Sequence, residues 1–197
     1  MRRGIRGAAT ALLALTFVIA WRPAPAPLAL APESRLWFDG KSTVKNFTCR
    51  ATAIEGAIGG EGPEAIAAVL KGERSVTEAT LTFPTAKLDC DNNTMNGHML
   101  RALNAPTHQT IVFALTNYEL ASAATVRGTL HGNLTINGVA RAISLPVDFA
   151  AAGTALRVTG SYALKMTDWN VVPPKLMLGA LKVNEMVTVN FDLQLNP

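Results

Sequence analysis

Between Thr129 and Phe149 the chain alternates apolar and polar positions in two consecutive runs, TLHGNLTI and VARAISLPVDF, separated by Asn137-Gly138. In the first run Leu130, Leu134 and Ile136 share one parity, and Thr129, His131, Asn133 and Thr135 the other. In the second, Val139, Arg141, Ile143, Leu145, Val147 and Phe149 oppose Ala140, Ala142, Ser144, Pro146 and Asp148. Side chains on a strand point alternately to opposite faces, so a period of two signals one buried and one wet face. Asn-Gly best tolerates the positive φ angles of a two-residue type I′ turn. The pattern predicts a β-hairpin.

The same period recurs elsewhere. Arg35 to Phe38 is short and aromatic and ends at Asp39-Gly40, a turn signal. Lys45 to Glu55 alternates until Gly56, Gly59, Gly60 and Gly62 break the pattern. Pro63 to Leu70 fits one or two helical turns, a connector at most. Ser75 to Leu88 reads as a strand with a bulge or bend at Pro84, which cannot donate to a ladder. After Cys90, Asp91 or Asn93 is placed to cap a short helix carrying Met95, Met99, Leu100 and Leu103 at three- and four-residue spacing. Strands follow at Thr110–Glu119, Thr125–Ile136, Val139–Phe149 and Thr154–Met166, then a loop from Thr167 to Val183 and a closing strand at Glu185–Leu195. About eight strands joined mostly by short turns predict an all-β antiparallel barrel or sandwich.

The first 31 residues are of another kind. Arg2, Arg3 and Arg6 precede an apolar run from Ala8 to Ala20, followed by a stretch rich in Ala and Pro. That is the layout of a secretory signal peptide, and the run falls short of the ~20 residues that span a bilayer. An uncleaved membrane anchor is the alternative. Cleavage sites are available after Ala20, Ala26 and Ala31. The division is a leader over residues 1–31 and one barrel domain over 32–197, in a periplasmic or secreted protein with no integral membrane segment in the mature chain. The leader also accounts for the basic pI of 9.3. From Pro32 onward 14 Lys and Arg balance 14 Asp and Glu, so a nucleic-acid partner is not expected. Two cysteines, Cys49 and Cys90, in an exported chain point to a disulfide, the alternative being two buried free thiols.

No catalytic motif stands out: there is no nucleophile elbow, no His-Glu-x-x-His, no phosphate loop and no Cys-x-x-Cys. The three histidines are scattered, so no metal site is expected. Asp89 and Asp91 read as a solvated turn and helix cap. Parity makes Leu36, Phe38, Phe47, Leu81, Phe83, Ile111, Phe113, Leu115, Leu134, Ile136, Val158, Tyr162, Val189 and Phe191 inward candidates. They either fill a core or line a hollow, for an eight-stranded barrel allows both. Trp169, Met177 and the Met95/Met99 pair suit a mouth, because thioethers adapt and an indole is amphipathic.

Three segments, GTLHGNLTINGVARAISLPVDF, VTGSYALKMTDWNVVPP and LGALKVNEMVTVNFDLQL, resemble the C-terminal half of the YceI-like family in order and spacing. The stretch LDCDNNTMNGHMLRALNAPTHQTIVFAL resembles that family's short helix and following strand. The resemblance covers Ser34 to the C-terminus. It implies an eight-stranded antiparallel lipocalin-like barrel with one or two short helices, exported to the periplasm in Gram-negative members. It also implies an interior that binds a polyisoprenoid or isoprenoid quinone. Two features depart from the pattern: Asn170 stands where the family often has Gly, and the cysteine pair and the Gly56–Gly62 stretch are not general.

The reading is therefore an exported carrier of an isoprenoid-type lipid without cofactor or chemical turnover, with a homodimer compatible. One alternative is a closed barrel that binds a protein partner on its outer face or loops. Another is an enzyme using Tyr162 or a carboxylate inside the barrel.

Overall fold

A computed structural model describes residues 26–62, 64–121 and 126–197. The residues before Ala26, which hold the arginines and apolar run of the expected leader, lie outside the described residues.

Strands β1 (Ala26–Leu30), β2 (Arg35–Ser42), β3 (Asn46–Ala51) and β4 (Glu55–Gly60) come first. Helix α1 (Ala65–Leu70), β5 (Val76–Pro84), β6 (Leu88–Asp89) and helix α2 (Asn93–Ala102) follow. The remainder is β7 (Thr110–Ala121), β8 (Val126–Ile136), β9 (Val139–Ala152), β10 (Ala155–Lys165), β11 (Lys175–Leu176) and β12 (Leu181–Asn196). All pairings are antiparallel, and the strands run β1-β4-β5-β7-β8-β9-β10-β12 before β12 returns to β1. The result is the expected closed eight-stranded barrel with extra strands.

Two staves are split. The edge of β12 pairs with β2 over residues 183–192 and then with β1 at Leu195 and Asn196, so β1 and β2 are two halves of one stave. Likewise β3 pairs with β2, and β4 pairs with β1 and β5. Above Glu55, β3 parts from β5 and takes the short β6 as its neighbour.

The Asn137-Gly138 turn forms as expected, with φ of 49° and 74° at its two residues, and β8 and β9 pair in register from Ile136–Val139 to Val126–Phe149. The sheet begins at Ala26, with Leu28 and Ala31 buried. Three local expectations are corrected. Asp39-Gly40 is not a turn: β2 runs through it, and Gly40 leaves the space into which the Phe47 ring of β3 packs. The glycines at 56, 59 and 60 lie in strand β4, where the bare backbone of Gly60 admits Ala65 of α1. Asn92, not Asp91 or Asn93, caps α2, its side-chain oxygen accepting from the Met95 N–H at 2.9 Å.

A register shift between Leu115 and Asn117 changes the parity of β7. Beyond it Tyr118 turns inward and is buried, and its hydroxyl oxygen accepts from the backbone N–H groups of Ser75 (2.7 Å) and Val76 (2.9 Å). Helix α1 is more than a connector: Ala65, Ile66 and Val69 are buried against the barrel, closing the end where β9 turns into β10. Among the described residues no helix is long and apolar enough to cross a membrane.

Candidate functional site

The barrel interior divides into a packed half and a hollow half. At the end closed by α1, Leu28, Ile58, Val69, Val147, Phe149, Leu156, Leu193 and Leu195 form a continuous core. Phe113 belongs to it, its ring lying across Gly132 of β8, where a Cβ would stand 2.5 Å from the ring. Toward the other end the split staves part, and a cavity of about 460 Å³ opens. That volume lies within the range of roughly 300–1,000 Å³ usual for small-molecule sites.

Its wall is apolar. Leu36, Phe38, Phe47, Phe83, Ile111, Leu134, Ile136, Leu164, Val187 and Val189 contribute from the strands, with Trp169 and Val171 from the loop after β10. The polar lining side chains, Ser42, Lys45, Asn92, Thr94 and His98, come from the β2–β3 hairpin and from α2 and its cap. A long apolar molecule is accommodated by such a wall, and any polar head would meet those groups only near the opening.

Helix α2 lies over this cavity as a lid, presenting Met95, Met99, Ala102 and Leu103 to it. None of its residues is buried, so packing holds it lightly. Three other devices anchor it. Cys49 of β3 and Cys90, just before the helix, form a disulfide, and both line the cavity. Asn96 accepts from the Cys90 N–H and donates to Asp89, both at 2.8 Å. Arg50 of β3 pairs with Asp91 and lies 3.9 Å from Asp89. The Asn96 hydrogen bond, with the Asp91 N–H and Arg50, holds the Asp89 carboxyl below the usual carboxylate range.

Trp169 closes the wall at the hairpin tip. It is buried, and its indole N–H donates to the Leu134 carbonyl at 3.0 Å. Asn170 follows in the left-handed region, at φ 55°, ψ 22°, so this asparagine takes a conformation that otherwise favours glycine. The Asn137 side chain donates to the Asn170 carbonyl at 3.1 Å, tying the two turns together.

On the outer wall Asp192 is buried between two arginines. Arg157 donates to both its oxygens (2.8 and 2.9 Å), and Arg35 to one (2.9 Å). Arg157, then Arg35, hold its carboxyl below the ordinary range, and the Arg157 guanidinium is raised in return. This knot staples β10, β12 and β2 where the closing stave is split. Also outside, His131 Nδ1 lies 2.9 Å from Ser144 Oγ, and its Nε2 3.7 Å from Glu119. That alignment faces away from the lumen.

Of the residues named from sequence, Leu36, Phe38, Phe47, Phe83, Met99, Ile111, Leu134, Ile136, Trp169 and Val189 line the cavity. Phe113, Val158 and Phe191 are buried in the packed half, with Leu81, Leu115 and Tyr162 packed against it. The Met177 side chain lies outside the described residues. Sequence reasoning missed Leu164, Val183 and Val187, although they share the parity of Tyr162 and Val189 and needed only to be counted. It missed His98 and Leu103 because nothing in the local pattern shows which way a lid faces, and Lys45 because it stands in the turn between β2 and β3, outside the alternating strand.

An eight-stranded antiparallel barrel with an apolar lumen opening at one lidded end is a barrel of lipocalin type. The chain matches the YceI-like domain over residues 31–195 and belongs to that family. Among similar solved structures, Burkholderia cenocepacia BcnA is 18% identical, with a TM-score of 0.65 over 82% of this chain and 96% of that one. A polyisoprenoid-binding domain from Saccharophagus degradans, implicated in plant cell wall breakdown, is 16% identical, with a TM-score of 0.61 over 86% and 97%. The Campylobacter jejuni YceI protein is 16% identical, with a TM-score of 0.59 over 74% and 82%. At these identities the likeness shows the fold. No curated protein sequence matches the chain.

Proposed function

We propose that this protein is an exported carrier that sequesters an isoprenoid-type lipid, a polyprenyl chain or an isoprenoid quinone, in its lumen without transforming it. The observation that carries the reading is the hollow half of the barrel, walled by apolar side chains and covered by a methionine-bearing lid. The polyisoprenoid-binding neighbour supports the choice of ligand class, and the Arg-led N-terminal run supports export to the periplasm. Each buried CH₂ contributes about 0.8 kcal/mol, so ten carbons give roughly 8 kcal/mol before ordering costs. An affinity near micromolar corresponds to about 8 kcal/mol net of those costs, so it calls for an apolar chain longer than ten carbons, and no charged partner is needed.

Native mass spectrometry of gently purified protein tests this. A co-purifying lipid with an isoprenoid chain, displaced by added polyprenol or quinone, is the expected result. Protein that comes out empty and takes up neither compound would overturn the reading. Unchanged mass of the displaced lipid after prolonged incubation is expected of a carrier; hydrolysis would point instead to chemistry in or on the barrel.

A further inference from the structure

The large hydrophobic side chains that stand most exposed among the described residues gather at one end of the molecule. They are Val44, Val172, Leu178 and Met186, at 70%, 72%, 111% and 42% exposure. Val44 lies at the tip of the β2–β3 hairpin and also lines the cavity. Val172 is flanked by cavity-lining Val171 and Pro174, and Leu178 sits in the turn between β11 and β12. These loops are joined into one rim: the Thr43 N–H donates to the Lys182 carbonyl at 3.0 Å, and the Thr43 hydroxyl to the Ala180 carbonyl at 2.9 Å.

The rim is also basic. Lys41, Lys45, Lys175 and Lys182 are exposed on it, and Lys175 and Lys182 are cross-strand neighbours. No Asp or Glu occurs from residue 40 to 54 or from 169 to 184. Of the carboxylates that bound these stretches, Glu185 is engaged by Lys165 at 3.4 Å and Asp39 by Thr48 and Asn190, while Asp168 stands exposed beside Trp169.

We propose that this rim docks the barrel, mouth down, onto the surface of a membrane that contains anionic phospholipid. Isolated apolar tips on separate loops, interspersed with lysines, suit a fluid interface of headgroups and acyl chains. A second copy is disfavoured, because two such rims would set lysines against lysines. Docked this way, the lumen opens toward the bilayer and its ligand never crosses bulk water; that consequence, unlike the docking itself, rests on the carrier reading.

The test is co-sedimentation of the purified protein with vesicles of phosphatidylcholine, with or without phosphatidylglycerol. Each lysine at an anionic surface is worth about fivefold in partitioning. Lys175→Gln with Lys182→Gln should therefore weaken binding to the anionic vesicles about 25-fold, and added salt should weaken it further. Val44→Ser with Leu178→Ser should weaken it by at least about tenfold. All four positions are exposed, so unchanged melting of the variants is expected. The proposal is overturned by equal binding to both vesicle types, by no binding, or by variants that bind as the wild type does. A dimer in sedimentation velocity without vesicle binding would also overturn it and assign the rim to a second copy. Native mass spectrometry on the same samples separates the two readings. Lipid retained without docking sinks this proposal alone, and docking of a protein that never holds lipid sinks the carrier alone.

Discussion

The lid is expected to depend on one covalent bond, and cutting that bond has a calculable effect. Cys49 and Cys90 close a loop across a sequence separation of 41. Removing such a loop constraint from the unfolded chain costs about 4 kcal/mol of stability. For a domain of this size each kcal/mol shifts the melting temperature by about 2–4 °C, so Cys49→Ala with Cys90→Ala should lower it by roughly 8–16 °C. Reduction of the wild type should reproduce that fall. The effect should also be local. Helix α2 buries no residue of its own, and after the bridge is gone only the Asn96 hydrogen bonds and the Arg50 pairing hold its N-terminal end to β3 and β6. Thermal melting by circular dichroism, with hydrogen exchange resolved to α2, measures both consequences. A fall of less than about 4 °C, with α2 amides as protected as before, would show that the polar contacts alone secure the lid and refute the reasoning.

Three further outcomes are expected. Val189→Trp places an indole in open volume instead of a packed core, so it should abolish lipid retention in native mass spectrometry while changing stability in urea by less than about 1 kcal/mol. Gly132→Val drives a side chain into the Phe113 ring and the Ala114 carbonyl, and should cost about 1–3 kcal/mol in the same urea titration. Because Arg157 and Arg35 lower the pKa of Asp192 in the folded state, its stabilising effect is present above the unfolded carboxylate value and is lost as pH falls through the folded one. The stability gap between wild type and Asp192→Asn, measured by urea midpoints across pH, should be full at neutral pH and narrow below about pH 4.

The alternating runs made the staves legible: inward parity in β8, β9, β10 and β12 follows directly from residues such as Leu134, Ile143, Val158 and Val187. What a period of two cannot carry is position along the barrel axis. Leu134 and Val158 are both inward, yet Leu134 lines the hollow and Val158 the packed half. Distance from the lid-end turns separates them, and that requires knowing which turns share an end. Tyr118 was hidden for another reason, since the shift near Thr116 reverses parity without any glycine or proline to announce it. Gly40 and Gly60 misled because they stand where a ring and a helix approach the backbone, not where the chain reverses. The lid methionines were visible as a helical stripe, but a stripe does not say which wall the helix is anchored against, and here the bridge between Cys49 and Cys90 is one of the anchors.

The stopper formed by Ala65, Ile66 and Val69 makes the lumen a cul-de-sac. On the proposed carrier function, a threadlike cargo would load tail first and back out head first, with no route through. Its acceptor would then meet the head before the tail, so recognition at delivery would fall to the end of the molecule that the barrel itself reads least.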